Sequence, residues 1–205
     1  MQPIYSPPLK VWLWLCLLSP LSTLAQPYQI NFSDGTAPPT GWETDEGLPY
    51  GLRANGLTYG WVDPTSFAPV DISERGRNRG PDPDVDVLTE TLMHMQYSDV
   101  STGAQDGTWL FDLPNGFYEV EVTVGDNSNN DSYHIIRAEG VTIVDYNTFG
   151  GGLPPFGTGS CLVEVTDGVL TIDAGSGNNT KIVTIVITPR QPVSYQINFA
   201  DAATP

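Results

Sequence analysis

Short runs of alternating apolar and polar residues constrain the fold of this chain more than any other feature. One such run, residues 117–124, divides its alternate side chains into an apolar and a polar set. Successive side chains of a strand point to opposite faces, so this pattern predicts a strand with one buried face. The apolar set is Tyr118, Val120, Val122 and Val124, and the polar set is Glu119, Glu121 and Thr123. No segment keeps an apolar period of 3.6 residues for three turns, so we expect no helix.

Turn residues separate these runs. The 21 Gly and 18 Pro are dispersed along the chain, which suits many short strands joined by turns. Asn115-Gly116, Glu139-Gly140 and Asp167-Gly168 each lie between two runs and predict hairpins. Residues 87–98 are mostly apolar and predict a long central strand. Pro189 is expected to end the last strand, which begins at Lys181. About eight or nine strands at this spacing predict an all-β antiparallel sandwich of the jelly-roll type.

Residues 1–25 are typical of a secretory signal peptide. Lys10 is the only charged residue among them and precedes an apolar run, and Thr23 and Ala25 form a small-x-small cleavage site. The alternative, a membrane anchor, is disfavoured because Ser19-Pro20 interrupts the run and shortens it below a comfortable bilayer span. We therefore expect cleavage after Ala25, a secreted or cell-surface protein, and no membrane insertion after cleavage.

The charge of the chain excludes some partners. The formal net charge is −16, and the loss of Lys10 with the signal peptide makes it −17. Nucleic acids and anionic membrane surfaces attract Lys and Arg, so this acidity disfavours both as ligands. It favours neutral or cationic ligands, calcium among them. Cys16 leaves with the signal peptide, so we expect Cys161 to stay without a disulfide, buried on a strand.

The end of the chain repeats its beginning. Six of the seven residues in 195–201 match those in 28–34, at a displacement of 167 positions. This repetition predicts a tandem array in which residues 26–190 form one domain and residues 191–205 are a linker and the first strand of a truncated second repeat. The alternative is that the closing strand pairs in the same sheet as the first.

Several motifs occur in an order that resembles a known family. They are INFSD, GLTYGW, TLMHMQ, GTWLFDLPNGFYEVEVTVGDNS, DSYHIIRAEG and DGVLTIDAGSGNNTKIVTIVI, and they cover nearly all of residues 28–188. The sequence resembles the malectin-like, galactose-binding-like jelly-roll modules of secreted bacterial proteins. The resemblance implies a non-catalytic carbohydrate-binding β-sandwich of the kind often attached to polysaccharide-degrading enzymes or surface proteins. It also implies a sugar site built from loop aromatics and an acidic residue, which transfers loosely to Tyr59 and Trp61.

Candidate ligand-binding residues come from three stretches, chosen because a sugar site needs flat apolar faces and fixed polar groups. Tyr59 and Trp61 share one face of a predicted strand, and His94 and Gln96 share a face of another. The third stretch, GDNSNNDSYH, contributes Asn127, Asp131 and Tyr133. Each set has a structural alternative. The two aromatics suit a core, His94 suits a structural hydrogen bond, and the Asn-rich run suits a turn.

Two charged stretches give weaker predictions. Asp82, Asp84 and Asp86 alternate in GPDPDVDV and would share one side of an extended segment, which favours a structural calcium ion. The alternative is a solvated acidic loop. Arg75, Arg77 and Arg79 suit capture of an acidic sugar, or a solvated face neutralised by the neighbouring acids.

Catalysis has little support in the sequence. There is no G-x-S-x-G elbow, and two histidines without a Cys-rich pattern do not suggest a zinc centre. We therefore expect a non-catalytic carbohydrate-binding module that tethers a larger protein, through further domains of a longer parent chain, to a polysaccharide or glycan. The alternatives are a structural or adhesive surface repeat stiffened by calcium, and an accessory domain of a polysaccharide-degrading enzyme.

Overall fold

The computed structural model describes residues 26–83, 86–96 and 106–191. The predicted signal peptide, Asp84 and the repeated segment 195–201 lie outside the described residues. Two short 3-10 helices, Ser73–Arg75 and Val87–Thr89, accompany thirteen strands. The strands are β1 Tyr28–Phe32, β2 Glu43–Asp45, β3 Gly51–Leu52, β4 Thr58–Val62, β5 Gly76–Asn78, β6 Thr91–His94, β7 Thr108–Asp112, β8 Gly116–Gly125, β9 Tyr133–Ala138, β10 Val141–Asn147, β11 Phe156–Val165, β12 Val169–Asp173 and β13 Lys181–Arg190.

The strands form two sheets. The first has the order β11-β8-β13-β1-β2, with β6 paired to β13 and β5 paired to β6. The second has the order β10-β9-β12-β7-β4-β3. Every pair of strands is antiparallel except β1 and β2, which are parallel. The predicted all-β antiparallel sandwich is therefore confirmed. No helix among the described residues is long and apolar enough to cross a membrane.

Aromatic side chains fill much of the space between the sheets. Phe32 of β1 meets Trp61 and Trp109 edge to face, with centroids 5.9 and 5.4 Å apart. Tyr59 stacks on Phe111 at 5.7 Å with an interplanar angle of 11°. Such pairs add specific geometry to the burial of large apolar surfaces, so they fix how the two sheets face each other. The alternating residues of β8 point as predicted, with Val120, Val122 and Val124 fully buried.

The turn motifs gave one correct hairpin out of three. Glu139 and Gly140 adopt φ angles of +50° and +76° and join β9 to β10 within one sheet. Asn115-Gly116 instead connects β7 of the second sheet to β8 of the first, and Asp167-Gly168 connects β11 to β12 across the sandwich. Those two hairpin predictions are wrong, because a turn motif fixes a local reversal and not the partner that a strand finds.

The predicted long strand over residues 87–98 is also wrong. Asp86 caps a 3-10 turn by accepting a hydrogen bond from the backbone N–H of Leu88 at 2.8 Å. The strand that follows is only Thr91–His94. Two further expectations fail. Pro189 does not end its strand, because it lies inside β13, which ends at Arg190. Cys161, a free thiol on β11, is partly exposed and not buried.

Candidate functional site

A cavity of about 280 Å³ opens at one end of the second sheet, where β4 and β12 end and β7 begins. Strand residues supply one wall: Thr108 of β7, Arg137 of β9, and Thr171 and Asp173 of β12. Loop residues supply the rest, including Phe67 after β4 and Gln96 after β6. Because strands hold the polar wall, its groups are positioned before any ligand arrives.

The loop that carries Phe67 is tightly wound. The Asp63 carboxylate accepts hydrogen bonds from the backbone N–H groups of Thr65 and Ser66 at 3.1 and 2.6 Å. The Phe67 N–H donates to the Asp63 carbonyl at 2.9 Å. Phe67 has a φ of +57° and is 55% exposed. A bulky side chain in the left-handed region is strained, and such strain is concentrated at functional sites. The loop therefore holds an aromatic ring on the surface at a cost in stability.

Gln96, which lines the same cavity, carries a buried side-chain oxygen. Met95 before it is buried in the core, and its N–H donates to the Thr180 carbonyl at 2.9 Å. The side-chain oxygen of Gln96 is buried and has no hydrogen-bond partner among residues 26–83, 86–96 and 106–191. A buried acceptor without a donor costs about 1–3 kcal/mol. A ligand hydroxyl or amide that donates to this oxygen would remove that cost.

Arg137 and Asp173 form an ion pair in the strand wall. The Arg137 Nε lies 2.7 Å from the Asp173 Oδ1, which also accepts the Gly175 N–H at 2.7 Å. Within the described residues this pair uses only the Nε of the guanidinium and one carboxylate oxygen. The remaining N–H donors and the second oxygen are planar groups suited to paired hydroxyls. With Phe67 in its lining, the cavity combines an apolar group with fixed polar groups.

Tyr59 and Trp61, the predicted aromatic platform, are not at this site. They share one face of β4 as predicted, but that face is the core, where they are 4% and 0% exposed. Their ring faces pack against other core aromatics, so stacking of a sugar on them is contradicted by the structure. Alternation placed the two side chains on one face and did not reveal which face was buried.

A buried carboxylate explains the position of Trp61. Asp45 is 1% exposed, and its two oxygens accept the indole N–H groups of Trp61 and Trp109 at 2.7 and 2.8 Å. The Gly47 N–H donates to it at 2.8 Å. Burial raises the pKa of Asp45, and the hydrogen bonds from Trp61, Gly47 and Trp109 offset part of that rise. Sequence reasoning missed this role, because Asp45 stands between Glu43 and Glu46 and the two tryptophans lie 16 and 64 positions away.

Two of the predicted residues, His94 and Asp131, gather at a second place that is polar and largely buried. We call Arg79, Asp126, Asp131 and Lys181 the ionic cluster. Lys181 Nζ lies 3.2 Å from Asp126 Oδ2 and 2.5 Å from Asp131 Oδ1, and its side chain is only 1% exposed. Arg79 binds Asp126 through Nε and Nη2 at 3.1 and 2.9 Å. Burial opposes ionisation of Asp126, but its bonds to Arg79, Ser128 and Asn129 and the Lys181 charge prevail and lower its pKa.

Two histidines border the ionic cluster. His94 Nδ1 lies 2.9 Å from the side-chain oxygen of Asn179, and His134 Nδ1 accepts the Lys181 backbone N–H at 3.2 Å. Burial and then the Lys181 charge lower the pKa of each histidine to about 4. Both rings are therefore neutral at physiological pH and serve as hydrogen-bonding groups, which fits the structural alternative for His94.

The other predicted residues are divided among different surroundings. Asn127 donates to Asp82 Oδ2 at 3.2 Å, and Asp131 is paired with Lys181. Tyr133 begins β9, and a hydrogen bond from its hydroxyl to Asp145 raises its pKa. Gln96 alone of the seven predicted ligand-binding residues lines the cavity. The structure thus separates residues that their sequence motifs had grouped.

The predicted calcium site has no geometric support among the described residues. Asp82 pairs with Asn127, and Asp86 caps a 3-10 turn. No group of three or more His, Cys, Asp or Glu side chains there is arranged to hold a metal ion. Of the three arginines considered for an acidic sugar, Arg79 pairs with Asp126 and Arg77 donates to the carbonyls of Glu74 and Gly76.

Comparison with known proteins places the fold. The chain matches no family model and no curated protein. Among solved structures it is similar to the protein YXIM of Bacillus subtilis, with 24% identity and a TM-score of 0.50, over 82% of this chain and 42% of that one. It is also similar to a beta-glucuronidase of Bacteroides uniformis, with 16% identity and a TM-score of 0.48 over 80% and 18% of the chains.

A family 35 carbohydrate binding module of Clostridium thermocellum is a third similar structure, with 12% identity and a TM-score of 0.29 over 41% of this chain and 71% of that one. The chain spans less than half of the Bacillus subtilis and Bacteroides uniformis proteins. The likeness to the Bacillus subtilis protein shows a shared fold alone.

Proposed function

We propose that this protein is a non-catalytic carbohydrate-binding module and that its sugar occupies the cavity beside Phe67. The observation that carries the proposal is a single cavity lined by the strained, exposed Phe67, by Gln96, whose oxygen has no hydrogen-bond partner among the described residues, and by the Arg137–Asp173 pair. A sugar ring has an apolar C–H face and a rim of hydroxyls, and this cavity offers a counterpart to each. The module would tether a larger protein to a polysaccharide or glycan.

The charge of the cavity supports a neutral ligand. Among the described residues, Asp106, Asp173 and one cation, Arg137, line it, and the whole chain carries a net charge of −16. A negatively charged field raises the local concentration of neutral and cationic solutes relative to anionic ones. We therefore expect neutral glycans to bind more tightly than polyuronates.

The same residues support binding without chemistry. Glycoside hydrolysis needs two carboxyl groups that face each other across the bond to be broken, one of them able to donate a proton. Asp106 and Asp173 both line this cavity, and one oxygen of the Asp173 carboxylate is already committed to the Arg137 guanidinium and the Gly175 N–H. A carboxylate held in this way orients hydroxyls better than it transfers protons.

Substitution of Phe67 by glycine tests the proposal, because binding needs the aromatic ring whereas the left-handed backbone at this position favours glycine. Phe67→Gly removes the ring and also relieves the left-handed strain. We expect unchanged or higher thermal stability together with at least a tenfold loss of affinity, measured by calorimetry with a glycan selected from a broad array. Phe67→Trp keeps an aromatic face and should keep binding.

Leu52→Ala is the matched surface control, since Leu52 is 74% exposed on β3, away from the cavity. Unchanged glycan affinity in Phe67→Gly would place the site elsewhere. Absence of binding to every glycan of plant, algal and animal origin would remove the proposal and favour a structural or adhesive repeat.

A further inference from the structure

We infer that the ligand is an oligosaccharide chain that extends from the Phe67 cavity along one end of the second sheet to Phe149. This inference rests on the proposed function and adds the size and direction of the ligand. Phe149 is 51% exposed in the loop between β10 and β11. Phe149 and Phe67 lie at the same end of the sandwich. Phe149 follows β10 at one edge of the second sheet, and Phe67 follows β4 near the other edge.

A rim of neighbouring backbone segments leads from the cavity to Phe149. Gly175, which lines the cavity, leads into Asn178. The backbones of Asn178 and Tyr133 exchange hydrogen bonds at 2.8 and 2.9 Å, and the Thr148 N–H donates to the Ser132 carbonyl at 2.9 Å. Ser176, Asn178 and Asn147 are exposed along this path, and Tyr133 is half-buried. The rim therefore presents polar groups and one further aromatic ring between Phe67 and Phe149.

The span of this rim exceeds what a single sugar in the cavity can cover. Phe67 follows β4 and Phe149 follows β10, and the strands between them are β7, β12 and β9. Four steps between neighbouring strands at about 4.8 Å each give about 19 Å. A ligand that touches both rings must therefore be a chain of several sugar units.

The Phe149 loop is held in place at both ends. The Phe149 N–H donates to the Asn147 side chain at 2.9 Å, and the Tyr146 hydroxyl donates to the Pro154 carbonyl at 2.9 Å. Between these anchors Gly150, Gly151 and Gly152 have φ angles of +83°, +70° and +107°. Three consecutive residues in this region require glycine, so the sequence commits the loop to a bent path that leaves Phe149 outside the core.

The experiment is a length series measured on the full chain by calorimetry. The probes are the monosaccharide, disaccharide, tetrasaccharide and hexasaccharide of the neutral glycan that binds most tightly in the array. We expect affinity to rise with length up to the hexasaccharide. Phe149→Ala should weaken hexasaccharide binding roughly fivefold to tenfold, the effect of one lost aromatic contact. It should leave monosaccharide binding unchanged, whereas Phe67→Gly should weaken both.

Leu162→Ala serves as the control, because Leu162 is 59% exposed on β11 of the other sheet. Equal affinity for the disaccharide and the hexasaccharide would overturn the inference, as would an unchanged hexasaccharide affinity in Phe149→Ala. Either result would leave the proposed function standing if Phe67→Gly still lost binding. Failure of every glycan to bind would instead remove both.

Discussion

Two buried carboxyl groups in this molecule have pKa values that their surroundings shift in opposite directions. Asp45 lies in the core, where its hydrogen bonds come from the uncharged indoles of Trp61 and Trp109 and the Gly47 amide. Asp126 lies at the end of the sandwich beside the cations Arg79 and Lys181. Burial acts on both, yet the pKa of Asp45 is raised and that of Asp126 is lowered. Neutral N–H donors position a carboxyl group, whereas neighbouring cations also stabilise its ionised form.

The two carboxylates also connect different parts of the fold. Asp45 ties the short edge strand β2 to β4 and β7 of the opposite sheet, through ring N–H groups that have no other acceptor in the described structure. Asp126 instead joins the loop after β8, where it also accepts the Ser128 N–H, to Arg79 after β5 and to Lys181 at the start of β13. Loss of Asp45 therefore leaves buried N–H donors in the core without an acceptor. Loss of Arg79 or Lys181 instead leaves the Asp126 charge without one of its cations.

The largest effect is expected from Asp45→Ala. It leaves three buried N–H groups without an acceptor, at about 1–3 kcal/mol each, so we expect a loss of about 4–6 kcal/mol in the free energy of unfolding. Asp45→Asn keeps one acceptor oxygen and should lose less. Urea unfolding followed by tryptophan fluorescence measures both. A loss below about 1 kcal/mol in Asp45→Ala would show that the indoles find other acceptors, and the contrast with Asp126 would then collapse.

Lys181→Met should produce the next largest effect. The substitution keeps the volume of the buried stem and removes the charge that Asp126 and Asp131 face. Breaking a buried pair by removing one partner costs about 3–5 kcal/mol, and we expect the lower end because Arg79 still binds Asp126. The double variant Lys181→Met with Asp131→Asn should regain part of the loss. If the double variant is less stable than Lys181→Met, the pairing with Asp131 is not the reason for the loss.

The histidines beside the ionic cluster predict a pH dependence. His94 and His134 have pKa values lowered from 6.5 to about 4, so the unfolded chain binds more protons between these values. Their contribution to stability is therefore complete above about pH 6.5 and is lost as the pH falls toward about 4. Asp45 has the opposite effect on stability. Its pKa is raised in the folded protein, so its contribution to the free energy of unfolding falls as the pH rises through that folded-state pKa.

We therefore expect the two histidines to contribute a gain in stability from about pH 4 to about pH 6.5, and the raised pKa values of Asp45 and Glu139 to oppose it. His94→Gln should flatten the slope of unfolding free energy against pH, with a change of up to about 3 kcal/mol across that range. Unfolding measured at a series of pH values gives the slope. An unchanged slope in His94→Gln would mean that its ring already carries a proton in the folded state.

The smallest effect is expected from Arg190→Met. Arg190 pairs with Glu119 on the outer face of the first sheet, and both side chains are well exposed. Exposed pairs contribute about 0–1 kcal/mol, so this variant is the surface control for Lys181→Met, measured in the same urea titrations. A loss as large as that of Lys181→Met would show that burial is not what separates the two kinds of ion pair.

Local patterns in the sequence predicted much of the fold and little of the site. Period-two alternation located β8, and the Glu139-Gly140 turn identified a true hairpin between β9 and β10. The same alternation suggested Tyr59 and Trp61 as a binding platform, although their shared face is the core. Alternation shows which side chains of a strand share a face. It does not show which of the two faces a second sheet will cover.

What the sequence by itself determined is the class of structure: strands, turns, acidity and the division of each strand into two faces. These follow from interactions between residues close together along the chain. The tertiary structure alone decided that Asn115-Gly116 crosses between sheets, that Asp45 meets two tryptophans, and that Phe67, Gln96 and Arg137 border one cavity. Those groups are far apart along the chain, and only the pairing of distant strands, driven by burial of the shared aromatic core, brings them together.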